Sequence, residues 1–179
     1  MNDRGHDSVC VNFEHTRQIL QSKGFAPERV HSTQEFDNVA PTPIPASART
    51  IAICINGYDP LESNIEITDV SHSHGVDIVY RVHDADLRVS EIRKLASQRG
   101  ACLSLATGSK IQNFLQRVDV VVTANANIIA DPLIARKSAV YYWAGQRELF
   151  DYYGFVESYN VPHASSRASL ENVMNKLIS

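Results

Sequence analysis

The stretch Asp119 to Trp143, DVVVTANANIIADPLIARKSAVYYW, constrains the fold more than any other part of the chain. It opens with three consecutive valines, an apolar run suited to a strand buried on both faces. Ala124 to Asn127 is a loop of small and amide residues, Ile128 to Ala135 is apolar and helix-compatible, and Ala139 to Trp143 is β-rich with two tyrosines. Strand, loop, helix, strand is a βαβ unit, and parallel strands require such a crossover. Ligands of open α/β sheets sit outside the carboxyl ends of the strands, so Thr123 to Asn127 lies where a ligand is expected.

The flanking sequence extends the pattern. Thr50 to Ile55, Val76 to Val82 and Cys102 to Ala106 read as further strands. Ser90 to Arg99 reads as a helix ended by Gly100, and Ser109 as the N-cap of a helix carrying Ile111, Phe114, Leu115 and Val118. Leu61 to His74 is ambiguous. Residues 144–165 read as loop, and Ser169 as the cap of a last helix with Leu170, Val173, Met174 and Leu177 on one face. Before this domain, residues 1–10 read as disordered, Phe13 to Lys23 as a short helix, 25–37 as a turn with a short extended piece, and Ala40 to Ser47 as a proline-rich linker. The expected division is 1–48, a lead-in with linker, and 49–179, a Rossmann-like α/β domain with a mainly parallel sheet and helices on both faces.

Composition narrows the function classes. A net charge of -3 on 179 residues gives no electrostatic case for nucleic acid as a partner, and no apolar run approaches the roughly 20 residues of a membrane span. The three cysteines lack CxxC spacing, and no signal-peptide core is present at the N-terminus, which together point to the cytoplasm. No glycine-rich phosphate motif, GxSxG or HExxH occurs.

Five places carry candidate chemistry. Arg81 and His83, alternating at the exit of the second main-domain strand, suit a phosphate or a leaving group, or else a histidine on a loop carbonyl with Arg81 paired to Asp84 or Asp86. Thr107-Gly108-Ser109 precedes a helix whose amides suit an anion, or simply caps it. In Thr123 to Asp131, either Asp131 is an N-cap before Pro132 in the first helical position, or the helix starts near Asn127 and Pro132 kinks it. His72-Ser73-His74 with His83 and Asp86 contains metal-ligating types without diagnostic spacing. Phe150 to Gly154, after Tyr141, Tyr142 and Trp143, is dense in aromatics that suit a base, a sugar or a core edge.

Taken together, residues 12–179 resemble the nucleotide-binding C-terminal half of GT-B-fold enzymes that build bacterial surface polymers: capsular and polysialic acid glycosyltransferases and CDP-glycerol glycerophosphotransferases. Gly24 to Val30 with Glu35-Phe36-Asp37 is similar to the inter-domain segment, and Val79 to His83 to the strand ending in a His-Pro motif. Phe114 to Thr123 resembles the approach to the donor site, Thr123 to Lys137 the stretch T-x-N-S-x-x-x-x-E-A-x-x-x-x-K, and Asp151 to Gly154 a D-x-x-G loop. The resemblance implies that His83, with Arg81, stabilises the departing donor phosphate. It implies that Thr123, Asn125 and Asn127 contact the phosphates, and Asp131 the ribose. No metal and no cofactor are required in that scheme. The implied partners are a nucleotide-activated sugar or polyol and an N-terminal acceptor domain, with at most peripheral association with the inner membrane. The sequence departs from the pattern at Asp84 for proline, Ala126 for serine, and Asp131-Pro132 for Glu-Ala. The negative charge of Asp84 works against a diphosphate beside it.

Overall fold

The computed structural model describes residues 8–11, 13–33, 47–57, 59–124, 127–144, 151 and 154–178. The N-terminal part holds β1 (Val9–Val11), α1 (Glu14–Ser22) and β2 (Val30–Ser32), the two strands pairing in parallel. This corrects the expectation of a disordered lead-in at Val9 to Val11. The main domain then runs β3 (Thr50–Ile55), α2 (Leu61–Ser73), β4 (Asp77–Val82), α3 (Val89–Gln98), β5 (Cys102–Leu105), α4 (Ile111–Leu115), β6 (Val120–Thr123), α5 (Ala130–Ile134), β7 (Ser138–Tyr142), β8 (His163–Ala164) and α6 (Arg167–Ile178).

The six strands of the main sheet are all parallel, in the order β5-β4-β3-β6-β7-β8. The chain starts in the middle, builds one flank, then returns to build the other. Every strand therefore ends on the same edge, and the loops after β3 and β6 leave in opposite directions. That point of reversal is where open α/β sheets form a ligand crevice.

Alternation along each strand divides the core. Ile51, Ile53, Tyr80, Val82, Val120, Val122, Val140 and Tyr142 face α2, α3 and α6, meeting Ile67, Val70, Ile92, Leu170 and Met174. Ala52, Cys54 and Val121 face α4 through Phe114 and Leu115, while Ala139 and Tyr141 meet Ile129 and Leu133 beside α5. Each fully buried side chain of this size contributes about 1.5–3 kcal/mol, which fixes the strand register. At the opposite edge the Asp119 carboxylate accepts from the amides of Arg49 (2.9 Å) and Thr50 (3.0 Å), tying the starts of β3 and β6 together.

Several boundaries differ from expectation. The ambiguous segment is the 13-residue helix α2. The loop expected over 144–165 contains β8. Lys110, and not Ser109, is the N-cap residue of α4, and Ser109 Oγ donates to the Lys110 carbonyl. Ser169 lies in the first turn of α6, its Oγ accepting from the amides of Ser165 and Ser166 (both 3.0 Å). A 3₁₀ turn at Asn127–Ile129 leads directly into α5, so Asp131 is helical and Pro132 occupies the first turn, where its missing N–H costs nothing.

Candidate functional site

The carboxyl edge of the sheet gathers the loops after β3, β4, β5 and β6. The register builds a polar row across it on the α4/α5 face: Ser104 opposite Arg81, Arg81 opposite Cys54, Cys54 opposite Thr123, Thr123 opposite Tyr141, Tyr141 opposite His163. Arg81 is only 6% exposed. Its guanidinium donates to the Ser109 carbonyl (3.0 Å), the Ala106 carbonyl (3.5 Å) and Ser104 Oγ (3.4 Å), and lies 4.4 Å from the centre of the Phe114 ring. Arg81 thus anchors the loop carrying Thr107, Gly108 and Ser109, and its partner is neither Asp84 nor Asp86. Thr123 is buried too, its hydroxyl donating to the Cys54 carbonyl (2.8 Å). Burial pushes the Cys54 thiol up to about 12, so it is a packing residue.

His83 is exposed just past β4. Its Nδ1 accepts the Ala85 N–H (3.1 Å), which places the ring proton of neutral imidazole on Nε2. Asp84 reaches sideways instead: Oδ2 accepts the Thr107 N–H (3.0 Å), while Oδ1 is buried with no hydrogen-bond partner. The Gly108 N–H is bonded to the Leu105 carbonyl (3.1 Å). Asp131, on the same face as Arg81, has its carboxyl raised by burial, with the Arg81 charge pulling the other way. Asn125 lies outside the described residues, as does the side chain of Asn127, whose backbone is in the 3₁₀ turn.

A cavity of about 620 Å³ opens between the β3 and β4 loops, lined by Ile55, Asn56, Gly57, His83, Ala85, Asp86, Leu87 and Arg88. Arg88 holds its two walls together. The guanidinium donates to the Asp59 carbonyl (2.6 Å), the Asn56 carbonyl (2.7 Å) and both carboxylate oxygens of Asp86 (3.1 and 2.9 Å). That hydrogen bonding holds the Asp86 carboxyl below its usual range. Sequence reasoning missed Arg88, although the triplet Asp86-Leu87-Arg88 beside His83 was a usable signal.

Asp59 is 4% exposed, and burial raises its pKa to about 6 against the hydrogen bond from the Asn56 amide and the nearby Arg88 charge. A folded-state value above the unfolded 3.8 means that the folded protein binds the proton more tightly. The stabilisation from protonated Asp59 is complete below pH 4 and is lost as pH rises through 6. Asp59→Asn keeps an acceptor for the Asn56 amide and removes the buried charge. At pH 7 it is expected to stabilise the fold by about 1–3 kcal/mol, and urea titrations should show the difference vanishing by pH 4.

Two sequence candidates resolve into structure. His72 and His74 stand at the end of α2, on the amino edge of the sheet, and His72 Nε2 contacts the Arg99 carbonyl (2.6 Å). His83 and Asp86 lie on the carboxyl edge, so the four do not share a site. Among the described residues of the aromatic segment, the Asp151 carboxylate accepts from the amides of Phe155, Val156 and Glu157, and Phe155 stacks edge-on against Phe13 (5.2 Å between centroids). That part is a core edge.

No family model matches the chain, and no curated protein matches it significantly in sequence. Among solved structures, the chain is similar to S. aureus TarM, a variant in complex with fondaparinux, alpha-GlcNAc-glycerol and UDP. The TM-score is 0.57 at 13% identity, covering 96% of this chain and 36% of TarM's. The lipopolysaccharide outer core galactosyltransferase WaaB in its apo form aligns at a TM-score of 0.39 and 9% identity, over 97% of this chain and 58% of that one, too low to establish a shared fold. The TarM likeness shows a shared Rossmann-like fold of the GT-B kind, and this chain spans about a third of that protein's length.

Proposed function

We propose that this chain is the donor-nucleotide-binding half of a glycosyltransferase, or of a glycerophosphotransferase, acting in cell-surface polysaccharide synthesis. The observation that carries the reading is the strand order: its point of reversal, where open α/β sheets take their ligands, falls between the loops after β3 and β6, on the edge where His83, Thr107 to Ser109 and Asp131 also stand. The likeness to a UDP-bound protein adds support.

In this reading His83 Nε2 donates to the donor phosphate as the bond to the sugar or polyol breaks, stabilising charge that develops on the leaving group. Arg81 acts from below, by setting the shape of the Thr107 to Ser109 loop and by placing a positive charge under the crevice. Thr123 holds the end of β6 against β3 so that Asn125 and Asn127 meet the phosphates, and Asp131 takes the ribose. An acceptor-binding domain supplies the base that deprotonates the acceptor, and the assembly works at the cytoplasmic face of the inner membrane. Among the described residues no helix is long and apolar enough to cross a membrane.

A thermal-shift panel of UDP, CDP, CMP and GDP tests this, since a ligand that binds only the folded state raises its stability. One nucleotide is expected to raise Tm, and His83→Ala to weaken its affinity about ten- to a hundredfold, the value of one hydrogen bond to a charged group. Unchanged affinity in His83→Ala would remove His83 from the site. The second reading, a nucleotide-binding module without turnover, is favoured by one observation: the Asp84 carboxylate already occupies the Thr107 amide. Nucleotide binding with no transfer when an acceptor domain is supplied would select it.

A further inference from the structure

Asp84 has no part in the proposed chemistry, yet it stands next to the His83 ring. Strands β4 and β5 run in register to Val82 and Leu105, and the Ala106 N–H extends the ladder by donating to the Val82 carbonyl (2.9 Å). Past that bond the two chains part. Asp84 spans the gap, its Oδ2 accepting the Thr107 N–H at 3.0 Å. A side chain free to turn would bring both oxygens to water, whereas here Oδ1 is buried without a partner. That burial costs free energy, and the charge-assisted bond at the other oxygen offsets it.

The turn that carries His83 is pinned on both sides. Downstream, the Asp86 N–H donates to the His83 carbonyl (2.9 Å), and the Asp86 carboxylate is gripped by Arg88, which also holds the loop after β3. Upstream, Asp84 ties the turn to the loop after β5, itself held from beneath by Arg81 at the Ala106 and Ser109 carbonyls. Inside the turn the Ala85 N–H donates to the His83 Nδ1. Asp84 is the residue between that donor and that acceptor. Its backbone dihedrals decide whether the Ala85 N–H meets the ring, and its side chain, bound to Thr107, restricts them.

We infer that Asp84 is a positioning residue: by bridging to Thr107 it fixes the turn that holds the His83 ring at Nδ1 and leaves Nε2 as the donor. The bridge does this, and not the negative charge. The Thr107 amide is then a partner of the chain itself. That the positioned Nε2 meets a donor phosphate rests on the proposed function; the bridge does not.

Two substitutions separate bridge from charge. Asp84→Asn removes the charge and keeps an oxygen for the Thr107 N–H, and Asp84→Ala removes both. The readings are hydrogen exchange at Thr107, the Ala85 amide shift across a pH titration, and the nitrogen shifts of the His83 ring, all in the isotopically labelled full chain. In the unsubstituted protein the Ala85 signal moves as Nδ1 takes a proton, because the proton displaces the bond that Nδ1 accepts. Asp84→Ala is expected to speed exchange at Thr107 about tenfold, in line with the loss of one hydrogen bond to a charged group. It should also flatten the Ala85 titration and draw the two ring-nitrogen shifts together as the tautomers mix. Asp84→Asn should keep the Ala85 titration and the ring shifts. Unchanged Ala85 and His83 signals in Asp84→Ala would overturn the inference, and so would Asp84→Asn matching Asp84→Ala, which would assign the effect to the charge.

UDP, CDP, CMP and GDP then probe the function. Asp84→Ala is expected to bind the preferred nucleotide about tenfold more weakly than Asp84→Asn. In a His83→Ala background the two should bind alike within about twofold, since the effect passes through that ring. A difference that persists without the ring would overturn the positioning role. If the ring signals respond as expected and none of the four nucleotides binds, the positioning role stands and the nucleotide reading falls.

Discussion

Gly154→Ala is expected to destabilise the protein by about 3 kcal/mol, the sum of placing an L-residue in left-handed backbone and forcing a contact. Gly154 has φ +73°, and an added Cβ would lie 2.6 Å from His15 Cγ, 2.8 Å from His15 Cβ and 3.0 Å from Ser158 Oγ. His15 belongs to α1, so the clash separates the N-terminal unit from the turn that seats Phe155. Phe155, Phe13 and Tyr159 form one aromatic group there, with Phe13 preceding α1. The Asp151 carboxylate fixes the turn from the other side, so the glycine has no room to move away. For a domain of this size the loss corresponds to a fall in Tm of about 6–12 °C, measurable by scanning calorimetry. An unchanged Tm would mean that α1 does not pack on this turn.

Arg81→Met is expected to cost about 3 kcal/mol, because removing the buried guanidinium strips the half-buried carbonyls of Ser109 and Ala106 of their charged donor. The methionine retains contact with Phe114 and supplies no donor to Ser109 or Ala106. The loop from Ala106 to Ser109 then loses its anchor, and Asp131 loses the positive charge that opposes its protonation. Two measurements separate these effects. Urea unfolding reports the stability loss, and hydrogen exchange at Thr107 and Gly108 reports the loop, with protection expected to fall well below that of β4. Arg81→Lys should recover part of the stability, since one ammonium can still reach one carbonyl. It should not restore loop protection, which depends on a planar group bridging several acceptors.

Much of the main sheet was legible because its strands are apolar runs on both faces. Thr50 to Ile55, Val120 to Thr123 and Ser138 to Tyr142 are buried almost throughout, and continuous apolar sequence is what such strands require. Helix α2 was hidden by its own chemistry. Its buried positions include Asn64, Thr68 and Ser71, and the hydroxyls of Thr68 and Ser71 donate back to carbonyls four residues earlier. Polar side chains satisfied in this way sit in a core while masking the apolar period. Strands β1, β2 and β8 are two or three residues long and are defined by distant partners, which no local pattern encodes. In the site, His83 and the loops were legible as residue types at strand ends. The Arg88 clamp was legible only in its Asp86 half, through the triplet Asp86-Leu87-Arg88, because its other two acceptors, the Asp59 and Asn56 carbonyls, belong to residues about 30 positions away.

The order of the strands also sets a schedule for synthesis. Strand β3 is central, and its two edges are filled by β4 and β6. The first partner follows about 20 residues later, but the second begins only at Val120, roughly 65 residues beyond Ile55. At about 5–20 residues per second this leaves one edge of a wholly apolar strand open for roughly 3–13 s while the ribosome advances. An open edge of that kind is a template for pairing with other chains. The nascent protein therefore passes through an interval in which β3, β4 and β5 form a half-sheet with Ile51, Ile53 and Ile55 at its unguarded border. Chaperone dependence should concentrate in that interval and end when β6 closes the gap.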